Sequence, residues 1–268
     1  MTLPNLRLCR SLLFLPASNP RAIEKARGLA ADMIILDCED AVKGEEKDEA
    51  RAAAVEAVGE GFGARLSAIR INAVGDPHYG ADVVAVRDSR ADLVVLPKAE
   101  RHKQVKDIAG LTGKPVLAMI ETAAGVLQAA AIAPAANGLI AGTNDLAADL
   151  GIGGESRIGL HHSLQMIVLA ARAAGIAAFD GVHNVLDDEA ALARQCEEGR
   201  AFGFDGKSLI HPNQIDAANR IFGPSEAEVA AAQRLIAAAT GGAERYEGRM
   251  IEAMHVAQAQ ALLAKAGR

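Results

Sequence analysis

Tryptophan is absent from this 268-residue chain, and aromatic residues of all kinds make up only 3% of it. The core must therefore be built from Ala, Val, Leu and Ile, and half of the residues are hydrophobic, enough for a large buried interior. Basic charge is scarce as well: the formal net charge is −6. That excludes the basic surface on which phosphate-backbone binding depends, so no nucleic-acid partner is expected. A few well-placed Arg residues can still bind a small anionic substrate. Cysteine is limited to Cys9, Cys38 and Cys196, odd in number and far apart. No disulfide framework or thiolate metal motif can be read from them, and a reducing cytoplasm suits them best. Apolar runs are short: SLLFLPA at 11–17 is broken by Pro16 before it makes a signal-peptide core. No stretch nears the roughly 18 apolar residues of a membrane span, so no membrane partner is expected. No GxGxxG follows the first run, which removes the main mark of a dinucleotide site.

What is present is an alternation. Eight short aliphatic runs, at 11–17, 33–37, 66–72, 93–98, 115–121, 138–145, 177–182 and 206–211, are separated by longer Ala-rich helical patterns. Each run is apolar at successive positions, as in parallel strands with helices on one face and barrel core on the other. Eight such pairs predict a (β/α)8 barrel over residues 1–223, ahead of an open doubly wound sheet. Asp187 and Asp188 read as a helix start, and Gly175 and Gly203 as helix stops. Residues 224–268 exceed what a barrel needs. They predict two further helices, at 225–240 and about 249–266, packed on the same barrel or capping a neighbouring subunit.

Charged and polar residues gather at the carboxyl ends of the predicted strands, the end of a barrel where substrates bind. They are Asp37, Glu39 and Asp40 after the second strand, Arg70 and Asn72 at the third, and Lys98 and Glu100 at the fourth. Glu121 follows at the fifth, Asn144 and Asp145 at the sixth, and Lys207 and His211 at the eighth. Glu121 and Asp145 lie on adjacent strands, and two carboxylates completed by water and substrate oxygens suit Mg²⁺. Arg70 offers a planar fork for a substrate carboxylate or oxyanion. Asp37 and Lys98 join Arg70 and Glu121 as candidate substrate-binding residues. A helix cap or an ion pair with Arg70 and Lys98 is the competing role for Asp37, Glu39 and Asp40.

The segments RSLLFLPAS, ILDCEDAV, IRIN, LPKAE, MIETAAG, GTNDLAADLG and GKSLIHPNQI occur in that order. Together they resemble the citrate lyase β-subunit-like proteins of the HpcH/HpaI aldolase and malyl-CoA lyase superfamily. The resemblance implies a TIM-type barrel, a homotrimer or hexamer, and a Mg²⁺ cofactor. The implied substrate is an acyl-CoA or carboxylic acid, with a carbon–carbon bond cleaved or formed beyond the α-carbon. It implies that Glu121 and Asp145, rather than Asp149, hold the metal, and that Arg70 contacts the substrate oxyanion. It points to Arg10, Asn19, Lys25, His211 and Asn213 for CoA. In malyl-CoA-type relatives a C-terminal segment like DGKMID supplies an Asp that closes over a neighbour's site. Here the match is EGRMIE, which makes Glu252 the candidate acid–base residue, with a longer reach. The expected reaction is retro-Claisen or retro-aldol cleavage of a malyl-, citramalyl- or citryl-CoA. The alternatives are a CoA-free aldolase releasing pyruvate and a non-catalytic subunit of a larger complex.

Overall fold

A computed structural model describes residues 5–153 and 157–267. Its centre is a closed barrel of eight parallel strands: β1 (Ser11–Pro16), β2 (Met33–Asp37), β3 (Leu66–Arg70), β4 (Leu93–Leu96), β5 (Val116–Ile120), β6 (Gly138–Ala141), β7 (Ala177–Asp180) and β8 (Gly206–Leu209). Each strand pairs with the next, and β8 returns to β1 through Ser11↔Lys207 and Leu13↔Leu209. Every predicted run holds one of these strands.

The continuous apolar character of the runs has two destinations. Leu12, Met33, Ile35, Val95, Leu117, Ile140 and Phe179 fill the barrel interior. Leu13, Ile34, Leu36, Val94, Ala118 and Leu139, on the opposite faces of the same strands, pack under the helices. Alternation along each strand thus sends both sets of side chains to buried surfaces.

The surrounding helices are α1 (Pro20–Ala26), α2 (Lys47–Glu60), α3 (Tyr79–Asp88), α4 (His102–Thr112), α5 (Ala123–Ile132), α6 (Thr143–Asp149), α7 (His161–Ala173), α8 (Glu189–Phe202) and α9 (Ile215–Phe222). Local chemistry sets their ends. Asn19 caps α1 through the Ala22 N–H, with Pro20 at the first turn, and Asp188 caps α8 through the Ala191 N–H. Gly203 stops α8 at φ 98°, a backbone state that suits a residue without Cβ. The sixth run divides after Ala141: Thr143 to Asp149 turn as a helix, so Asp145 lies in the first turn of α6 rather than at a strand end.

Beyond Pro224 the chain forms α10 (Glu226–Ala238), the hairpin β9 (Glu244–Tyr246) and β10 (Arg249–Ile251), and α11 (Ala253–Ala266). The expected helix from about 249 therefore begins later. Glu247 and Gly248 both take positive φ, which closes a two-residue turn and pairs the flanking residues as strands. The far end of α11 is fastened to the base of the barrel, where Lys265 Nζ donates to the Asp205 carbonyl 2.5 Å away. No helix among the described residues is long and apolar enough to cross a membrane.

Candidate active site

The carboxyl ends of the strands surround a cavity of about 370 Å³, lined among others by Phe14, Asp37, Arg70, Met119, Glu121, Asp145 and Val182. Arg70, the last residue of β3, is 8% exposed. Asp37 takes it in a two-pronged pair, from Nε at 2.7 Å and from Nη2 at 2.5 Å, and Glu39 Oε2 lies 2.9 Å from Nη1. Phe14 lies under the guanidinium, 5.4 Å from ring centre to Cζ. Burial alone would lower the Arg70 pKa; Asp37 and Glu39 outweigh it and raise the value, so the cation is permanent. Asp37 thus takes the ion-pair role with Arg70 and also lines the cavity.

Glu121 follows β5 and is 3% exposed. Its Oε1 accepts from the Lys98 backbone N–H at 2.7 Å. Its other oxygen lies against Gly142, where an added Cβ would overlap it. Burial raises the Glu121 pKa to about 7, with Glu39 and Asp145 adding to the rise and Lys98 N–H and Arg70 opposing it. Asp145 reaches the same cavity from α6 with its side chain 38% exposed, and Lys98 Nζ stands 3.7 Å from its Oδ2. Asp149 is engaged elsewhere: its Oδ2 accepts from Ala123 N–H at 2.6 Å, at the start of α5.

These carboxylates fit a hard divalent cation. Asp37, Glu39, Asp40, Glu121 and Asp145 stand against the two cations Arg70 and Lys98, a negative excess that a divalent ion would offset. Among the described residues no group of three or more His, Cys, Asp or Glu forms a complete cage. An all-oxygen pair completed by water and substrate is the donor set Mg²⁺ accepts.

A second layer holds this site. Lys47 Nζ donates to the Cys38 and Glu39 carbonyls and to Asn72 Oδ1, at 2.7–2.8 Å. Asn72 in turn donates to Asp82 from its backbone and its side chain, and Asp82 pairs with Arg51. Lys47 and Asp82 were not singled out in the sequence because both sit inside helical patterns; a Lys buried on a helix face is the signal. Cys38 is buried and its thiol is pushed up to about 12, mainly by burial, which leaves it inert as a nucleophile.

The other expected residues are dispersed. Asn19 follows β1 at the mouth side as the cap of α1, and Lys25 is exposed further along that helix. His211 and Asn213 follow β8; the His211 ring accepts from Asn213 N–H, and Asn213 Nδ2 donates to the Leu186 carbonyl. Arg10 is elsewhere. It precedes β1 at the opposite end of the barrel, where Asp32 accepts from its Nε and Nη2, both at 2.9 Å. Lys207 is also not at the mouth: it points outward from β8 and pairs with Asp180 in the wall, both fully buried. Glu252 caps α11 and is exposed; it is not among the residues lining its own chain's cavity.

A closed eight-stranded parallel barrel with its charged residues gathered at the carboxyl-end mouth is a (β/α)8 enzyme fold of the TIM type. Within that class the chain belongs to the HpcH/HpaI aldolase/citrate lyase family, which matches residues 10–212. It is 43% identical over 271 residues to a (3S)-malyl-CoA thioesterase of Cereibacter sphaeroides, spanning 96% of this chain and 94% of that one. A citrate lyase subunit beta of Leuconostoc mesenteroides is 35% identical, with 97% and 93% covered. Among solved structures it is similar to CitE of Mycobacterium tuberculosis in complex with magnesium, acetoacetate and coenzyme A. The TM-score is 0.83 at 34% identity, covering 98% of this chain and all of that one.

Proposed function

We propose that the chain is a Mg²⁺-dependent carbon–carbon lyase. Its substrate is a 3-hydroxyacyl-CoA thioester of the malyl-, citramalyl- or citryl-CoA type, which it splits into an oxo acid and acetyl-CoA or a related acyl-CoA. The observation that carries this reading is the meeting of Glu121 and Asp145 beside a buried, immobilised Arg70 at one barrel mouth. The similarity to a malyl-CoA thioesterase and to a magnesium- and CoA-bound CitE supports it.

Glu121 and Asp145 would hold the ion, which when bound supplies Lewis-acid polarisation of the substrate oxygens. The remaining work falls to the chain. Cleavage breaks the bond between the hydroxyl-bearing carbon and the acyl α-carbon, a base takes the hydroxyl proton, and the electron pair stays on the thioester side as the enolate. Arg70 is held by Asp37 and Glu39 before substrate arrives, so its remaining N–H groups meet the growing oxyanion without reorganisation. Phe14 and Met119 pack against the guanidinium and help to fix its orientation. Glu252 of a neighbouring subunit is the proposed proton donor to the acyl-CoA enolate. Asn19, Lys25, His211 and Asn213 are the proposed CoA contacts. Arg10 is left out because Asp32 holds it at the far end of the barrel. The proposed assembly is a homotrimer or hexamer in the cytoplasm, with residues 224–268 as the extension that covers a neighbour.

The test is a Mg²⁺-dependent cleavage screen of malyl-, β-methylmalyl-, citramalyl- and citryl-CoA, with the released oxo acid measured. Turnover of one of these, inhibited by free CoA, supports the proposal. Cleavage of CoA-free hydroxy-oxo acids alone would replace it with a CoA-independent aldolase.

A further inference from the structure

Lys98 touches both proposed ligand carboxylates by two different parts of one residue. Its backbone has φ 48°, the left-handed region that residues with a Cβ rarely enter. This turn aims its N–H at Glu121 Oε1, 2.7 Å away. The side chain then crosses the mouth, so that Nζ donates to Glu39 Oε1 at 3.2 Å and lies 3.7 Å from Asp145 Oδ2. The 3.7 Å separation is a charge contact rather than a directed hydrogen bond. The side chain is 41% exposed while that of Glu39 is only 6% exposed, so the ammonium has an open path to solvent and the carboxylate has none.

We infer that Lys98 is a positioning residue: its backbone N–H holds Glu121, while its ammonium competes with a divalent cation for the Asp145 and Glu39 carboxylates and withdraws when Mg²⁺ enters. The N–H to Glu121 is indifferent to side-chain charge and persists in both states. The ammonium does not, because two cations within about 4 Å of the same carboxylates repel each other. Lys98 therefore opposes metal binding while keeping the site assembled for it. This role differs from that of a substrate-binding lysine, which would leave metal affinity unchanged. The inference rests on Glu121 and Asp145 being the cation ligands.

The experiment is calorimetric titration of Mg²⁺ alone into the full-length wild type, Lys98→Met and Lys98→Arg. Lys98→Met should bind Mg²⁺ about tenfold more tightly, as expected for removal of one nearby charge. Lys98→Arg should stay near the wild type. Unchanged or weaker binding by Lys98→Met overturns the role of Lys98 alone; a wild type with no saturable binding overturns the ligand assignment with it. Amine acylation of the wild type, read by mass spectrometry, decides the question should the Met variant not fold. Labelling of Lys98 should rise several-fold when Mg²⁺ is added, and equal labelling with and without the ion overturns the inference.

Discussion

Glu121 imposes a measurable cost on the metal-free protein. Burial moves its carboxyl from the ordinary 4.5 to about 7 in the folded chain. The unfolded chain leaves it near its ordinary value, so the sign follows from linkage. Below about pH 4.5 the group is protonated in both states and its contribution to stability is fully present. As pH rises toward 7 the unfolded state releases its proton first, and the folded state loses ground until the loss is complete above that value. The separation of the two midpoints corresponds to about 3 kcal/mol. Glu121→Gln keeps the shape and the oxygen that accepts from Lys98 N–H but cannot ionise. In chelator-treated protein its unfolding free energy should equal that of the wild type near pH 4.5 and exceed it by about 3 kcal/mol at about pH 8. Urea unfolding followed by circular dichroism across this range measures the difference. Saturating Mg²⁺ should reverse the ranking, because the variant gains nothing from the ion. A difference that does not vary with pH, or one that favours the wild type as pH rises, refutes the burial argument.

The same geometry makes other outcomes specific. Gly142→Ala drives a Cβ into Glu121 Oε2 and should weaken Mg²⁺ binding by about 10–100-fold without loss of helix content; calorimetry and circular dichroism read the two together. Arg70→Met leaves Asp37 buried with no counter-charge and Glu39 with Lys98 alone, and should cost about 3–5 kcal/mol of stability in denaturant titration, besides abolishing turnover. Asp145→Asn should remove Mg²⁺-dependent cleavage, whereas Asp149→Asn, which touches only the start of α5, should leave the Mg²⁺ dissociation constant as it is. Glu121→Gln and Glu252→Gln should each be inactive alone yet recover turnover when mixed and reassembled. No recovery would rule out a proton donor supplied by a neighbour.

The barrel was legible because its signal is local and repeated. Each strand is a short aliphatic run, most of them ending in charge, and eight of them leave little else for the chain to be. Glu121 and Arg70 stood out because a charge at the end of an apolar run falls at the mouth, whereas Asp145 reaches it from the first turn of α6. The hairpin at 244–251 was hidden, since three-residue strands carry too few positions to show a period and only the turn at Glu247–Gly248 marks it. Arg10 and Lys207 misled for related reasons. Arg10 adjoins a motif whose other end reaches the mouth, and its pairing with Asp32 spans 22 residues. Lys207 occupies the outward phase of β8, and a four-residue strand gives no way of telling that phase from the inward one. The clamp on Glu121 by Gly142 and the left-handed turn at Lys98 are properties of packed backbone, with no trace in residue order.

Lys207 and Asp180 have one more consequence. The seam between β7 and β8 rests on just two facing pairs, Phe179↔Gly206 and Asp180↔Lys207, so backbone bonding alone would tolerate misalignment there. A slip by one position would swing the ammonium into the lumen among Leu12 and Phe179, where no carboxylate meets it, and leave Asp180 to Arg157 alone. The ion pair thus acts as a dowel at this joint of the ring. Removing Asp180 would leave the Lys207 ammonium buried beside Arg157 with no carboxylate, whereas removing Lys207 leaves Asp180 its pair with Arg157.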